Sequence, residues 1–225
     1  MNDQRQIADR QSRLGRISYR AVWILARVVG KLYWRLDIVG TERLPAAGAY
    51  VLAPSHRSNL DFLLAGMSVS RPVRYMAKSS IFKGGRIDRF LLGMGAFPVE
   101  RGTADREAMR RCEQLLAAGQ IVVLFPEGRR KDGPVVEDLF DGPAFVACRQ
   151  RIPIVPVGIG GAERAMPIGS KVVWPRKVVI TIGEPIYPDV ALTGRVSRSV
   201  VSGVTADLRQ SLQRQFDLAA ALAQP

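Results

Sequence analysis

The chain has 225 residues, a length that suits one domain, and 47% of them are hydrophobic, enough to build a core. With 24% charged residues it excludes a disordered chain, and with two cysteines, Cys112 and Cys148, it excludes a disulfide-built scaffold. Its 33 basic residues against 20 acidic ones leave a net charge of +13, which points to an anionic partner.

The excess is concentrated at the start. Residues 1–36 carry eight basic groups and two acidic ones, so they supply +6 of the total. A helix is predicted over 13–34, where Arg13, Arg16, Arg20, Arg27, Lys31 and Arg35 fall within an arc of about 100°. Leu14, Ile17, Ala21, Leu25, Val28 and Leu32 cover the neighbouring side, with Trp23 and Trp34 available as interfacial aromatics. Such a helix suits the headgroup plane of an anionic membrane. The competing reading is a surface helix that packs its apolar face on its own domain. The run Ala21–Ala26 is bracketed by Arg20 and Arg27, so no spanning helix is expected, and no signal peptide is read at the N-terminus.

Beyond this segment strands and helices alternate. Strands are predicted at Leu36–Val39, Tyr50–Ala53, Val73–Ala77, Phe97–Glu100, Ile121–Phe125, Ile154–Ile159 and Lys177–Gly183. Helices are predicted at about 59–69, Ile87–Leu92, Ala104–Ala118, about 142–150 and Ser199–Leu222. The alternation predicts an α/β fold with a mixed, mostly parallel sheet flanked by helices. Two parts are expected: 1–36 as a basic amphipathic segment packed on the main domain, and 37–225 as that domain. Both cysteines fall in predicted helices and suit a reducing, cytoplasmic compartment. They have no further ligand partners, so no metal site is expected.

Ligands of α/β sheets gather where loops leave the strand ends. After the second strand comes Ser55-His56-Arg57-Ser58-Asn59-Leu60-Asp61, which holds the single histidine of the chain. An imidazole near neutrality takes and returns protons, and a carboxylate five residues on is able to orient it. The same letters also read as a capping box in which Ser58 opens a helix and Asp61 closes onto it. After the fifth strand, Phe125-Pro126-Glu127-Gly128-Arg129-Arg130 places an acid and an arginine together. Gly95 to Arg101 ends similarly in Glu100-Arg101, and Lys78 follows the third strand. Each of these groups reads either as a loop ion pair or as an anion site.

Four blocks in order resemble the glycerolipid acyltransferase family that includes the 1-acylglycerol-3-phosphate acyltransferases. They are His56–Asp61 as H-x4-D, Gly95 to Arg101, Phe125-Pro126-Glu127-Gly128, and Ile154-Val155-Pro156-Val157-Gly158. The resemblance implies an α/β sheet preceded by a helical motif on the membrane. It implies His56 as general base on an acceptor hydroxyl and Asp61 as its orienting partner. Lys78, Arg101, Glu127, Gly128 and Arg130 would hold the phosphorylated acceptor, and Pro156 would lie on the acyl-binding side. Acyl-CoA or acyl-carrier protein is the implied co-substrate, a lysophospholipid the acceptor, with no cofactor and no metal. Direct transfer without an acyl-enzyme is expected, because no serine or cysteine has a second histidine to activate it.

The chain departs from the family in having Ser55 where Asn is usual. Arg129 and Lys131 stand where threonine and serine are common, and Asp141-Gly142 where a basic residue often precedes the glycine. These departures keep a different polar-lipid or glycolipid acceptor open. A basic protein without catalysis, binding membrane or nucleic acid, is the remaining alternative, and no nucleic-acid motif is present. The expected location is the cytoplasmic face of the cell membrane, as a peripheral protein.

Overall fold

Runs such as Tyr50-Val51-Leu52-Ala53 and Ile154 to Ile159 are apolar throughout, as strands covered on both faces must be. The computed structural model of the chain describes residues 13–82, 84–93, 95–99, 105–190 and 195–224. In chain order the elements begin with helix α1 (Arg13–Tyr33), β1 (Asp37–Val39), β2 (Tyr50–Pro54) and α2 (Asp61–Met67). There follow β3 (Val73–Lys78), α3 (Arg86–Gly93), β4 (Ala96–Val99), α4 (Asp105–Ala117) and β5 (Ile121–Val123). The last are α5 (Gly142–Gln150), β6 (Ile154–Gly160), α6 (Ala162–Ala165), β7 (Val179–Ile182) and α7 (Arg198–Leu222).

The seven strands form one sheet in the order β1-β7-β6-β2-β5-β3-β4. β7 runs antiparallel to β6, and every other neighbouring pair is parallel. The expected mixed, mostly parallel α/β sheet is therefore present. β5 stops at Val123 rather than Phe125, because Pro126 ahead has no amide to continue the ladder. The predicted strand end Glu100 and helix start Ala104 lie outside the described residues.

Alternate residues of β2 feed two cores, as a period of two requires. Tyr50 and Leu52 join Leu64, Met67, Val155, Val157 and Ile180 on one face. Val51 and Ala53 join Cys112, Leu116, Val146, Cys148 and Leu208 on the other. Both thiols are free and fully buried, and burial pushes Cys112 up to about 12.

α7 lies across β6 at close range. A methyl group at Gly158 would overlap the Gln215 carbonyl, and one at Gly160 the Ala219 carbonyl. Strand glycines are weak in themselves, yet here only glycine admits the helix backbone.

α1 docks by one side. Tyr19, Gly30 and Trp34 are buried, and Gly30 meets Leu36 and Met67. The Trp23 indole N–H donates to the Gly66 carbonyl of α2 at 3.1 Å. This corrects the expectation for the two tryptophans. Trp34, just past the helix, is buried and Trp23 is half-buried against α2, so both turn toward the domain, where Gly30 admits Leu36 and Met67. The Leu and Val stripe, in contrast, stays open: Leu25 is 63% and Leu32 78% exposed. No described helix is long and apolar enough to cross a membrane.

Gly158→Ala and Gly160→Ala should each destabilise the fold by about 1–3 kcal/mol or more, through overpacking against backbone. Gly203 in α7 is exposed with open space around it, so Gly203→Ala should stabilise by about 0.5–1 kcal/mol. Thermal unfolding of the three variants checks the opposite signs.

Candidate active site

β2 ends at Pro54, and the chain beyond it is pinned before it turns. The Ser55 amide donates to the Val157 carbonyl at 2.9 Å, and the Ile159 amide donates to Ser55 Oγ at 3.0 Å. Ser55 thus ties the site loop to β6, a task a short hydroxyl performs where the family usually carries Asn.

His56 follows, with Nδ1 2.9 Å from Asp61 Oδ2. The same oxygen accepts the amides of Arg57 at 2.6 Å and Ser58 at 2.7 Å. An oxygen already gathering two N–H donors serves the imidazole as acceptor, so Nδ1 carries the proton and Nε2 the lone pair. Burial pushes the Asp61 carboxyl up, against the lowering pull of the His56 hydrogen bond and the Ser58 and Arg57 amides. Asp61 Oδ1 is buried with no hydrogen-bond partner among the described residues.

Of the two readings of Asp61 from the sequence, the partner of the imidazole is present and the capping box is not: α2 begins at Asp61 itself, with Leu60 before it and no side-chain cap, although Asp61 Oδ2 accepts the Ser58 amide. The Ser58 side chain is not bonded to the Asp61 amide. Its hydroxyl donates to the Met166 carbonyl at 2.8 Å and accepts the Leu60 amide at 3.2 Å.

An aromatic wall closes around the ring. Phe125 lies 4.2 Å from the imidazole centroid and Phe62 5.5 Å, edge-on. Phe62 also meets Phe125 and Tyr75. The His56 side chain is buried but for 9% of its surface. These rings were not assigned from sequence, although Phe62 directly follows Asp61 and Phe125 closes the apolar run before Pro126.

The residue that sequence reasoning missed is Arg57. Its Nη1 donates to both oxygens of Glu127 at 2.7 and 2.6 Å. Its Nε and Nη2 reach the carbonyls of Gly133 and Val135 at 3.1 Å each, and its guanidinium stacks over Phe216. Glu127 in turn accepts the His56 amide at 2.9 Å. Two loops, after β2 and β5, are clamped together at the base of the imidazole. The signal was available in principle: an arginine beside the histidine and a carboxylate at the end of a neighbouring strand.

The Glu127 carboxylate is buried on Arg57 and the His56 amide, and the residue also lines the cavity beside this loop. The loop ion pair considered for Glu127 exists, with Arg57 and not Arg130 as the partner. Pro156 is a strand residue. It is buried within β6, paired with Ala53 across the ladder, and its carbonyl accepts the Gly183 amide. Strands β7 and β2 flank it on either side.

Gly128 is exposed with φ +67°, a left-handed turn that glycine takes without strain, and the Phe140 ring covers it. Arg130 is half-buried. Lys78 ends β3, at the same sheet edge as the site loops. Arg101 lies outside the described residues. A cavity of about 740 Å³ adjoins this loop, with Gly128, Arg129 and Lys131 facing Glu137, Asp138 and Arg209 around it. The Lys131 ammonium hydrogen-bonds Glu137 and holds its carboxyl below the usual range. Among the described residues no three His, Cys, Asp or Glu side chains gather to hold a metal.

A histidine held by a buried aspartate thus sits where the loops leave the strand ends of an α/β sheet. The chain belongs to the acyltransferase family, whose model, described as Acyltransferase, matches residues 35–160, more than half of it. It is an acyltransferase enzyme, similar to proteins that act on acylglycerol phosphates. It is 29% identical over 162 residues to a 1-acyl-sn-glycerol-3-phosphate acyltransferase of Bacillus subtilis (strain 168), covering 72% of this chain and 78% of that one. A chloroplastic 1-acyl-sn-glycerol-3-phosphate acyltransferase of Brassica napus is 28% identical over 159 residues, 69% of this chain and 46% of the plant protein. The crystal structure of the 1-acyl-sn-glycerophosphate (LPA) acyltransferase PlsC from Thermotoga maritima superposes with a TM-score of 0.69. At 20% identity, over 94% of this chain and 86% of that one, this likeness shows the fold.

Arg57→Ala would leave the Glu127 carboxylate buried and unpaired, so it should destabilise the protein by about 3–5 kcal/mol. Arg57→Lys keeps the charge but not the planar fork, and should fall between the two. Urea unfolding of both variants measures the difference.

Proposed function

We propose that this enzyme transfers a fatty acyl group from acyl-CoA or acyl-carrier protein to a hydroxyl of a lysophospholipid, with 1-acylglycerol-3-phosphate as the acceptor. The observation that carries the reading is the 2.9 Å contact of His56 Nδ1 with Asp61 Oδ2, which leaves Nε2 as the base. The names of the relatives support the acceptor.

In this mechanism Nε2 takes the hydroxyl proton as the acceptor oxygen forms its bond to the thioester carbonyl carbon. Asp61 stabilises the resulting imidazolium. The tetrahedral intermediate collapses, the C–S bond breaks, and the imidazolium returns its proton to the departing thiolate. Ester and free thiol leave, and the enzyme is unchanged. Arg57 and Glu127 act through the loop, keeping His56 in register without touching substrate. Lys78, Gly128, Arg130 and Arg101 remain the proposed holders of the acceptor phosphate, as the family resemblance implies. Phe62 and Phe125 exclude water on the apolar side of the ring, where a proton transfer gains from desolvation.

The departures at Arg129 and Lys131 favour one variant of this reading, an acceptor with a different polar head. In the adjoining cavity Lys131 is engaged by Glu137, and Arg209 Nε donates to the Val136 and Glu137 carbonyls. Purified protein with labelled acyl-CoA and a panel of lysolipids, with products identified by mass, decides between heads. His56→Ala should lower thiol release by about 10²–10⁴-fold or more, and Asp61→Asn should also lose most activity, with circular dichroism unchanged. Turnover retained by His56→Ala would overturn the mechanism.

Membrane contact through α1 belongs to the same proposal. Its inward face is occupied by the domain, and its Leu and Val face is free beside the basic stripe. That favours a helix lying in an anionic headgroup plane, on the cytoplasmic face of the membrane. A Leu25→Asp/Leu32→Asp double variant should lose flotation with phosphatidylglycerol vesicles while keeping its thermal stability. Unchanged flotation would remove α1 from the interface.

A further inference from the structure

Between α6 and β7 the chain runs Met166-Pro167-Ile168-Gly169-Ser170-Lys171-Val172-Val173-Trp174-Pro175-Arg176-Lys177. The loop is well tied down. The Trp174 amide donates to the Ala165 carbonyl at 2.7 Å, and the Val178 amide to the Trp34 carbonyl at 3.0 Å. Ser170 Oγ bonds the carbonyl and amide of Val172, closing a turn. Val173 packs inward on the core. The large apolar residues on either side face outward: Ile168 is 43%, Val172 53% and Trp174 49% exposed. A loop this well bonded has polar residues available for its surface, yet it presents three bulky apolar ones.

The loop is tied to α1. The Tyr33 hydroxyl, at the end of that helix, donates to the Val173 carbonyl at 2.8 Å. The half-exposed Tyr33 therefore reaches the Val172–Trp174 segment and links the end of α1 to this loop. Lys171 and Arg176 are exposed on the same loop. Apolar residues including a tryptophan, rimmed by cations, match the boundary between acyl chains and anionic headgroups.

We propose that residues 167–177 form a second lipid-inserting element, in which Ile168, Val172 and Trp174 enter the acyl boundary and Lys171 and Arg176 meet anionic headgroups. The inference rests on the reading of α1 as lipid-facing. It has a consequence for the site. Met166, at the root of the loop, accepts the Ser58 hydroxyl within the His56 loop, so this element carries the base to the bilayer surface where a lipid acceptor resides.

Tryptophan fluorescence tests it, since Trp34 is buried, Trp23 is half-buried against α2, and Trp174 is exposed. The full chain is mixed with phosphatidylglycerol vesicles whose acyl chains carry bromine. Emission should be quenched, and Trp174→Phe should lose more than half of that quenching while still floating with the vesicles. An Ile168→Ser/Val172→Ser variant should bind the vesicles at least tenfold more weakly, with unchanged melting temperature. Flotation with the quenching undiminished in Trp174→Phe, or affinity unchanged in the double variant, overturns the loop proposal and leaves α1 in place. Failure of the unaltered protein to float overturns both.

Discussion

The site depends on one buried ion pair. Arg57 and Glu127 come from loops after β2 and β5, neighbours in the sheet, and each is almost wholly removed from water. Removing two charges from water costs several kcal/mol each, and geometry must offset it. Here it does so with a forked contact to both carboxylate oxygens, two carbonyls for the remaining guanidinium donors and an aromatic ring beneath. The second task of Glu127 is to hold the His56 amide, which ties the position of the imidazole to this pair.

From that anchor the remaining chemistry follows by short steps. Asp61 Oδ2 collects the Arg57 and Ser58 amides and the imidazole, so the same atom holds the turn ahead of α2 and selects the tautomer. Its carboxyl is costly to bury, and the three N–H donors repay that cost only while His56 is in place. Phe62 and Phe125 then pack against the ring.

The two outward apolar surfaces have a shared origin. α1 docks through Tyr19, Trp23 and Gly30, the last admitting Leu36 and Met67, and among the described residues its Leu25 and Leu32 stay exposed. The loop before β7 is pinned by backbone hydrogen bonds and by Val173, which turns Val172 and Trp174 outward. The loop before β7 is tied to both parts of the chain, by the Tyr33 hydroxyl on the Val173 carbonyl and by the Ser58 hydroxyl on the Met166 carbonyl.

Much of the architecture was legible in the residues alone. Apolar runs of strand length, alternating with amphipathic stretches, imply the mostly parallel sheet, because only two-sided burial tolerates such strands. His56 and Asp61 were legible as a pair because they are separated by one loop turn, a local relation that spacing captures. Arg57 and Glu127 are 70 residues apart, and nothing local announces which of several nearby charges a buried arginine will meet. The same limit explains Pro156, whose motif position says nothing of the strands that enclose it, and the tryptophans of α1, whose helical wheel shows two apolar sides without saying which one docks. Periodicity determines which residues share a face. Only packing in three dimensions decides which face is spent on the core, because close approach depends on the small residues of a partner remote in sequence.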